Sequence, residues 1–238
     1  MKKALSILLA AVALTGCLNI KFNKDGLLNI TGDAIELGSS KKIKSEGPAV
    51  VKAYPVEPFT AVKVNGGFDV DITVGNETKV EVEAAENIQE VLEIETVDGV
   101  LVISTKDKVA IDRSDISIQT PALRAITING AGDIDINSDL ECEDFVLEIN
   151  GAGDVSTEKI ACKGLSVKVN GAGDVDFKEI DCNNLDVKIN GAGDFSVAGK
   201  AVDVNAEISG VGEIDASALE VSGTFNKKVS GIGKVKKN

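Results

Sequence analysis

The feature that most constrains this chain is a repeat of about twenty residues. Asn-Gly-Ala-Gly-Asp occurs at 129–133, 150–154, 170–174 and 190–194. Degenerate copies follow at Ser209-Gly-Val-Gly-Glu213 and Ser230-Gly-Ile-Gly-Lys234, with steps of 21, 20, 20, 19 and 21 residues. A near-constant period of this size means units that bury their apolar faces only by stacking on one another. Each copy is flanked by short runs of alternating apolar and polar residues, such as Val167-Lys-Val169 before and Val175-Asp-Phe177 after. That alternation has the period of a strand. No stretch of a dozen residues carries the spacing of an amphipathic helix.

Twenty residues holding strands this short cannot form a sheet alone. A propeller blade needs about 40 residues and four strands, and leucine-rich repeats need a helical half. The expected fold is therefore all-β: a right-handed parallel β-helix (β-solenoid) of about 20 residues per coil, with equivalent residues in ladders about 4.8 Å apart. Ile128, Ile149, Val169, Ile189, Ile208 and Val229 form one apolar column. Their neighbours Thr127, Glu148, Lys168, Lys188, Glu207 and Lys228 read as the outward column, open to cross-strand charge pairing. The repeat turn supplies the candidate site residues. Asn129, Asn150, Asn170 and Asn190 should stack as an amide ladder. Asp133, Asp154, Asp174 and Asp194 should form a carboxylate row, relieved by turn amides, solvent or weakly bound divalent cations. Like charges at that spacing repel by about 1 kcal/mol per pair even in water.

The N-terminus carries an address. Lys2 and Lys3 precede an apolar stretch from Ala4 to Leu14 that is too short to span a bilayer but suits a secretory signal. Leu14-Thr15-Gly16-Cys17 resembles the lipobox of bacterial lipoproteins, which implies lipidation at Cys17 and removal of residues 1–16. Loss of Lys2 and Lys3 would take the net charge from −13 to −15. Leu18 stands where an aspartate would imply inner-membrane retention, so the resemblance implies an outer-membrane anchor, with the periplasmic face preferred. The organisation expected is a signal at 1–16, a polar tether at 17–47 and a β-domain at 48–238. That domain divides into irregular coils at 48–128, with a hairpin at Asp98-Gly99, and the regular repeats at 129–238.

The NGAGD repeats, Val64-Asn-Gly-Gly-Phe-Asp69 and Asp98-Gly-Val-Leu-Val-Ile103 resemble the head GIN domain family. Its members are named "putative auto-transporter adhesins". The resemblance covers about residues 48–238 and implies a β-helix in the cell envelope, in many members a lipoprotein.

Composition narrows the function. The chain has 25 Lys and Arg against 38 Asp and Glu, so it offers no electrostatic footprint for nucleic acid. It has no His and no Trp, one Tyr and seven Phe. The commonest general base and zinc ligand are thus missing, as are the aromatic platforms of sugar-cleaving clefts. No nucleophile–base set or phosphate loop is present, and the acids form a uniform row instead of the unequal pair that glycosidases use. Cys142, Cys162 and Cys182 fall one repeat apart and read as buried thiols filling a small slot. The reading is a non-enzymatic envelope lipoprotein without a cofactor or metal, an adhesin or binding scaffold presenting a repetitive acidic surface. Its partners are the membrane, through Cys17, and an envelope glycan, a protein or a second copy of itself. Weak divalent-cation binding and a purely structural role remain the alternatives, with a polysaccharide-acting β-helix enzyme behind them.

Overall fold

A computed structural model describes residues 20–22, 28–30 and 42–238. The signal expected at 1–16, Cys17 and most of the expected tether lie outside these residues. The described chain falls into two units, Met1–Ser39 and Ser40–Asn238. In the first, β1 (Ile20–Phe22) pairs antiparallel with β2 (Leu28–Ile30).

The second unit is all but entirely β. Its strands open with β3 (Lys42–Ile43), β4 (Ala49–Tyr54), β5 (Ala61–Gly66), β6 (Asp69–Val74) and β7 (Lys79–Ala85). A four-residue helix α1 (Glu86–Gln89) leads to β8 (Leu92–Val97) and β9 (Val100–Thr105), and a 3-10 turn at Lys106–Lys108 leads to β10 (Ala110–Ile111). Then come β11 (Asp115–Thr120), β12 (Ala125–Gly130), β13 (Ile134–Glu141) and β14 (Asp144–Gly151). The long β15 (Val155–Gly171) and β16 (Val175–Val221) run through several bends, and β17 (Phe225–Gly231) and β18 (Lys234–Lys237) close the chain.

The repeats lie in register, as their spacing demands. Residues 155–171 of β15 pair in parallel with 175–191 of β16, and Asn170 sits opposite Asn190. The expectation of a right-handed parallel β-helix over 48–238 is nevertheless corrected. The main sheet has 14 strands of mixed direction and is nearly closed, like a barrel. β7 runs antiparallel to both β4 and β11, and β8 runs antiparallel to β9. The reason is local. The chain reverses between Val97 and Val100 in a two-residue turn at Asp98-Gly99, where both residues have positive φ, and a turn that short joins only antiparallel strands. β15 carries the closure: its first half pairs with β13 and its second with β14, so the sheet folds back over one core.

That core is made of columns. Ile128, Ile149, Val169, Ile189 and Ile208 are fully buried, as are Ile126, Leu147, Val187 and Ala206. Phe177 and Phe195 meet edge to face at 5.5 Å between ring centres. Burying such side chains contributes about 1.5–3 kcal/mol each. Outside, Lys168 pairs with Glu148 at 3.0 Å and Lys228 with Glu207 at 2.5 Å, whereas Lys188 turns to Asp186 of its own strand at 3.4 Å. Such exposed pairs contribute a few tenths of a kcal/mol each.

Close stacking rests on the first glycine of each turn. At Gly171, φ is +143° and a Cβ would lie 2.0 Å from the carbonyl oxygen of Gly151. Backbone cannot yield there as a flexible side chain could. Gly171→Ala should therefore lower the unfolding free energy by more than about 2 kcal/mol in urea titration, whereas Gly99→Ala, in open space, should cost about 1 kcal/mol through φ alone.

The last rung breaks two of the inward columns, one on each of its strands. Lys227 stands opposite the buried Ala206 and Lys237 opposite the buried Ala216, both at inward positions. The Lys237 ammonium lies over the Phe225 ring at 4.7 Å. A charge aimed inward on an edge strand blocks addition of another strand. Replacing both lysines with valine should drive end-to-end association, read as a shift to larger species in sedimentation velocity.

Candidate functional site

Outside the sheet, the strands after each repeat turn present two polar columns to solvent. The first is Asp133, Asp154, Asp174, Asp194 and Glu213. The second, two residues further along each strand, is Asp135, Ser156, Asp176, Ser196 and Asp215. Strand geometry sets about 7 Å between the columns and about 4.8 Å between rungs. Between them the inward Val155, Val175 and Phe195 form the floor of a shallow groove of about 530 Å³.

Each column relieves its own repulsion. In the first, the carboxylate of one repeat accepts the backbone amide of the next. Asp154 Oδ1 accepts Asp174 N at 3.0 Å, Asp174 Oδ1 accepts Asp194 N at 2.9 Å, and Asp194 Oδ1 accepts Glu213 N at 2.8 Å. In the second, hydroxyls alternate with carboxylates. Ser156 donates to Asp135, and Ser196 donates to Asp176 at 2.6 Å. At the C-terminal end Lys236 closes the groove, pairing with Glu213 and, at 3.5 Å, with Asp215. The Ser217 hydroxyl and backbone amide, at 2.5 and 3.0 Å, hold the Asp215 carboxyl below its usual range, and Lys236 adds to this.

The asparagines of the turn hydrogen-bond to one another from rung to rung. Asn150 Nδ2 donates to Asn129 Oδ1 at 3.1 Å, Asn170 to Asn150 at 2.8 Å, and Asn190 to Asn170 at 3.0 Å. The ladder is one member longer than the repeat motif suggests. Asn129 donates to Asn65 Oδ1 at 2.8 Å, because β5 pairs with β12 in the same register. The acidic column likewise extends to Asp69, which lies on β6 next to the 133 rung. The signal was the Val64-Asn-Gly-Gly-Phe-Asp69 segment, whose Asn and Asp have the spacing of the repeat motif.

The cysteine column is also in register, with Cys162 opposite Cys182. All three thiols are free, Cys182 buried and the others half-buried. Burial pushes the Cys162 thiol up to about 12 and Cys182 to about 11, with neighbouring thiols and acids adding to this, so neither is a nucleophile at neutral pH.

The arrangement is regular where a catalytic centre would be unequal. It offers carboxylate oxygens and hydroxyls at a fixed repeat, suited to multiple equivalent polar contacts. Among the described residues no group of three or more acids or thiols is placed to hold a metal ion.

Asp69 carries the electrostatic strain of the groove's N-terminal end. Burial, then repulsion from Asp133 and Asp115, raises its pKa, against an opposing effect of Arg113. A folded-state pKa above the unfolded one means stability that is full below the unfolded value and lost as pH rises through the folded value. Asp69→Asn should thus raise the melting temperature at pH 7, and the gain should vanish in acid, where aspartate is protonated in both states.

The chain is similar in fold to several crystal structures. A "putative adhesin" from Parabacteroides distasonis is 20% identical, with 83% of this chain and 100% of that one covered and a TM-score of 0.74. A "putative adhesin" from Bacteroides fragilis is 19% identical, with coverage of 82% and 100% and a TM-score of 0.60. A "putative lipid binding protein" from Parabacteroides distasonis is 18% identical, with coverage of 82% and 100% and a TM-score of 0.60. No curated protein matches. The sequence itself matches, over residues 58–177 and 157–238, the family described as "Putative auto-transporter adhesin, head GIN domain", and the protein belongs to that family.

Proposed function

We propose that this protein is a non-enzymatic adhesin or binding scaffold of the cell envelope, held to the outer membrane by acyl chains on Cys17. Residues 1–16 are the signal removed on maturation, and 17–47 are the tether that holds the β-domain off the membrane. The observation that carries the binding role is the pair of register-locked columns. Asp154, Asp174 and Asp194 each present a carboxylate fixed by an amide of the next rung. Repeated weak contacts along such a row sum into avidity without any single strong site. An envelope glycan or protein with matching hydroxyls, amides or cationic groups is the partner. The adhesin names of its structural relatives favour this reading, and the missing aromatics and uniform acids speak against catalysis. The "lipid binding" name of another relative is compatible with a role at the membrane face.

For the anchor, several acyl chains hold a protein durably, at about 0.8 kcal/mol per buried methylene. No helix among the described residues is long and apolar enough to cross a membrane. Cys17→Ser should move the protein from the membrane to the soluble fraction and abolish palmitate labelling. Retention in the membrane would refute the anchor. For the groove, Asp154→Asn/Asp174→Asn/Asp194→Asn keeps an acceptor oxygen on every rung but removes the charge. The triple variant should lose at least about tenfold in cosedimentation with isolated envelopes, and an unchanged yield would refute the acidic face as the binding surface.

A further inference from the structure

The asparagine ladder has a direction and an open end. Every amide donates toward the N-terminal rungs: Asn190 to Asn170, Asn170 to Asn150, Asn150 to Asn129, and Asn129 to Asn65. Chained amides polarise one another, so the terminal N–H group is a stronger donor than a lone amide. That group is Asn65 Nδ2, which has no acceptor among the described residues. The strand beyond it, β9, pairs Ile103 with Val64, and so brings Ser104 to the next rung where another asparagine would stand. Serine is too short to fill an amide's place.

A cavity of about 670 Å³ occupies this end of the ladder. Asn65, Asn129 and Ser104 line one side, and Phe68, Val109 and Ile111 supply apolar wall. Lys108 is its one ionisable lining residue among those described, in a chain of net charge −13. The turn that brings Lys108 there is held unusually. Asp107 and Lys108 both have φ of +52°, a left-handed conformation that non-glycine residues adopt at a cost, and Thr105 Oγ1 ties the turn shut by donating to Val109 O at 2.7 Å. A polarised amide donor, a cation, a hydroxyl and an apolar wall around one cavity are complementary to a small ring bearing a carboxylate and hydroxyls.

We propose that this cavity binds a sugar acid, a monosaccharide of the uronate class. Its carboxylate takes the place of the missing ladder amide between Asn65 Nδ2 and Lys108. Its hydroxyls meet Ser104 and Asn129, and its apolar face lies on Val109 and Ile111. The site is separate from the acidic groove and does not depend on it.

Calorimetric titration of the purified full chain with D-galacturonate and, as the neutral control, D-galactose tests the proposal. Galacturonate should bind and galactose should bind at least about tenfold more weakly, the loss of one charge-assisted contact. Lys108→Gln, an exposed change that leaves the core intact, should weaken galacturonate about tenfold, with Lys108→Arg recovering most of it. Asn65→Asp, which puts an acceptor and a charge where the donor stands, should abolish binding, with circular dichroism confirming an intact fold. The Asp154, Asp174 and Asp194 triple variant should bind galacturonate as the parent does, so this site and the groove fail independently. No galacturonate heat at tens of millimolar, equal binding of galactose, or full affinity in Lys108→Gln would each overturn the proposal.

Discussion

Everything in this fold depends on how closely one backbone turn can approach the next. At the corner of each repeat a glycine Cα faces the carbonyl of the glycine one repeat earlier, with room for hydrogen and nothing larger. That contact brings the rungs within ladder hydrogen-bonding distance on both sides of the corner. The same spacing places one asparagine amide within reach of the next and one carboxylate beside the next backbone N–H. The polar columns are therefore consequences of the glycine column. A side chain at the corner would separate the amides, the carboxylates and the apolar columns together.

The columns also show how a strongly acidic protein keeps a row of carboxylates at such spacing. Coulomb repulsion of about 1 kcal/mol per pair in water is comparable to what one charge-assisted hydrogen bond returns. The first column offsets it with backbone amides, the second dilutes it with serines, and Lys236 neutralises the end. Asp69, flanked by Asp115 and Asp133, is where compensation fails. An acidic face built this way is rigid before any partner arrives, which reduces the ordering cost of binding.

Much of this was legible in the residues alone. The spacing of the NGAGD copies gives the parallel register of residues 125–238, and the inward and outward assignments of Ile149 and Glu148 follow from alternation. Strand direction in residues 49–105 was not legible, since a period of two is the same for parallel and antiparallel strands and only a repeat offset distinguishes them. Asp98-Gly99 signalled one reversal, but nothing in the sequence places β11 between β6 and β7. The expected right-handed parallel β-helix gives way to a nearly closed, barrel-like sheet of mixed strands. The serines of the second column were visible but looked like ordinary exposed positions, because their role exists only across rungs. Alternation also does not reveal that Lys227 and Lys237 stand opposite the buried Ala206 and Ala216, because that follows only from the register between rungs.

The two ends of the stack are consequently unlike. At the C-terminal end, Lys227 and Lys237 end two of the inward columns, and Lys237 lies over the half-buried Phe225 ring. Toward the N-terminal end, the repeats meet a hairpin and antiparallel strands, and the amide ladder stops at a serine beside a cavity. A chain of equivalent rungs cannot by itself single out one ligand position, because each rung offers the same contacts as its neighbours. Specificity has to come from where the repetition stops. In this protein that break, at Asn65 and Ser104, coincides with Lys108, the one cation lining the cavity among the described residues, and with a turn held in a left-handed conformation. The regular rungs supply repetition and stiffness, and the irregular strands supply the asymmetry that recognition of a single small molecule requires.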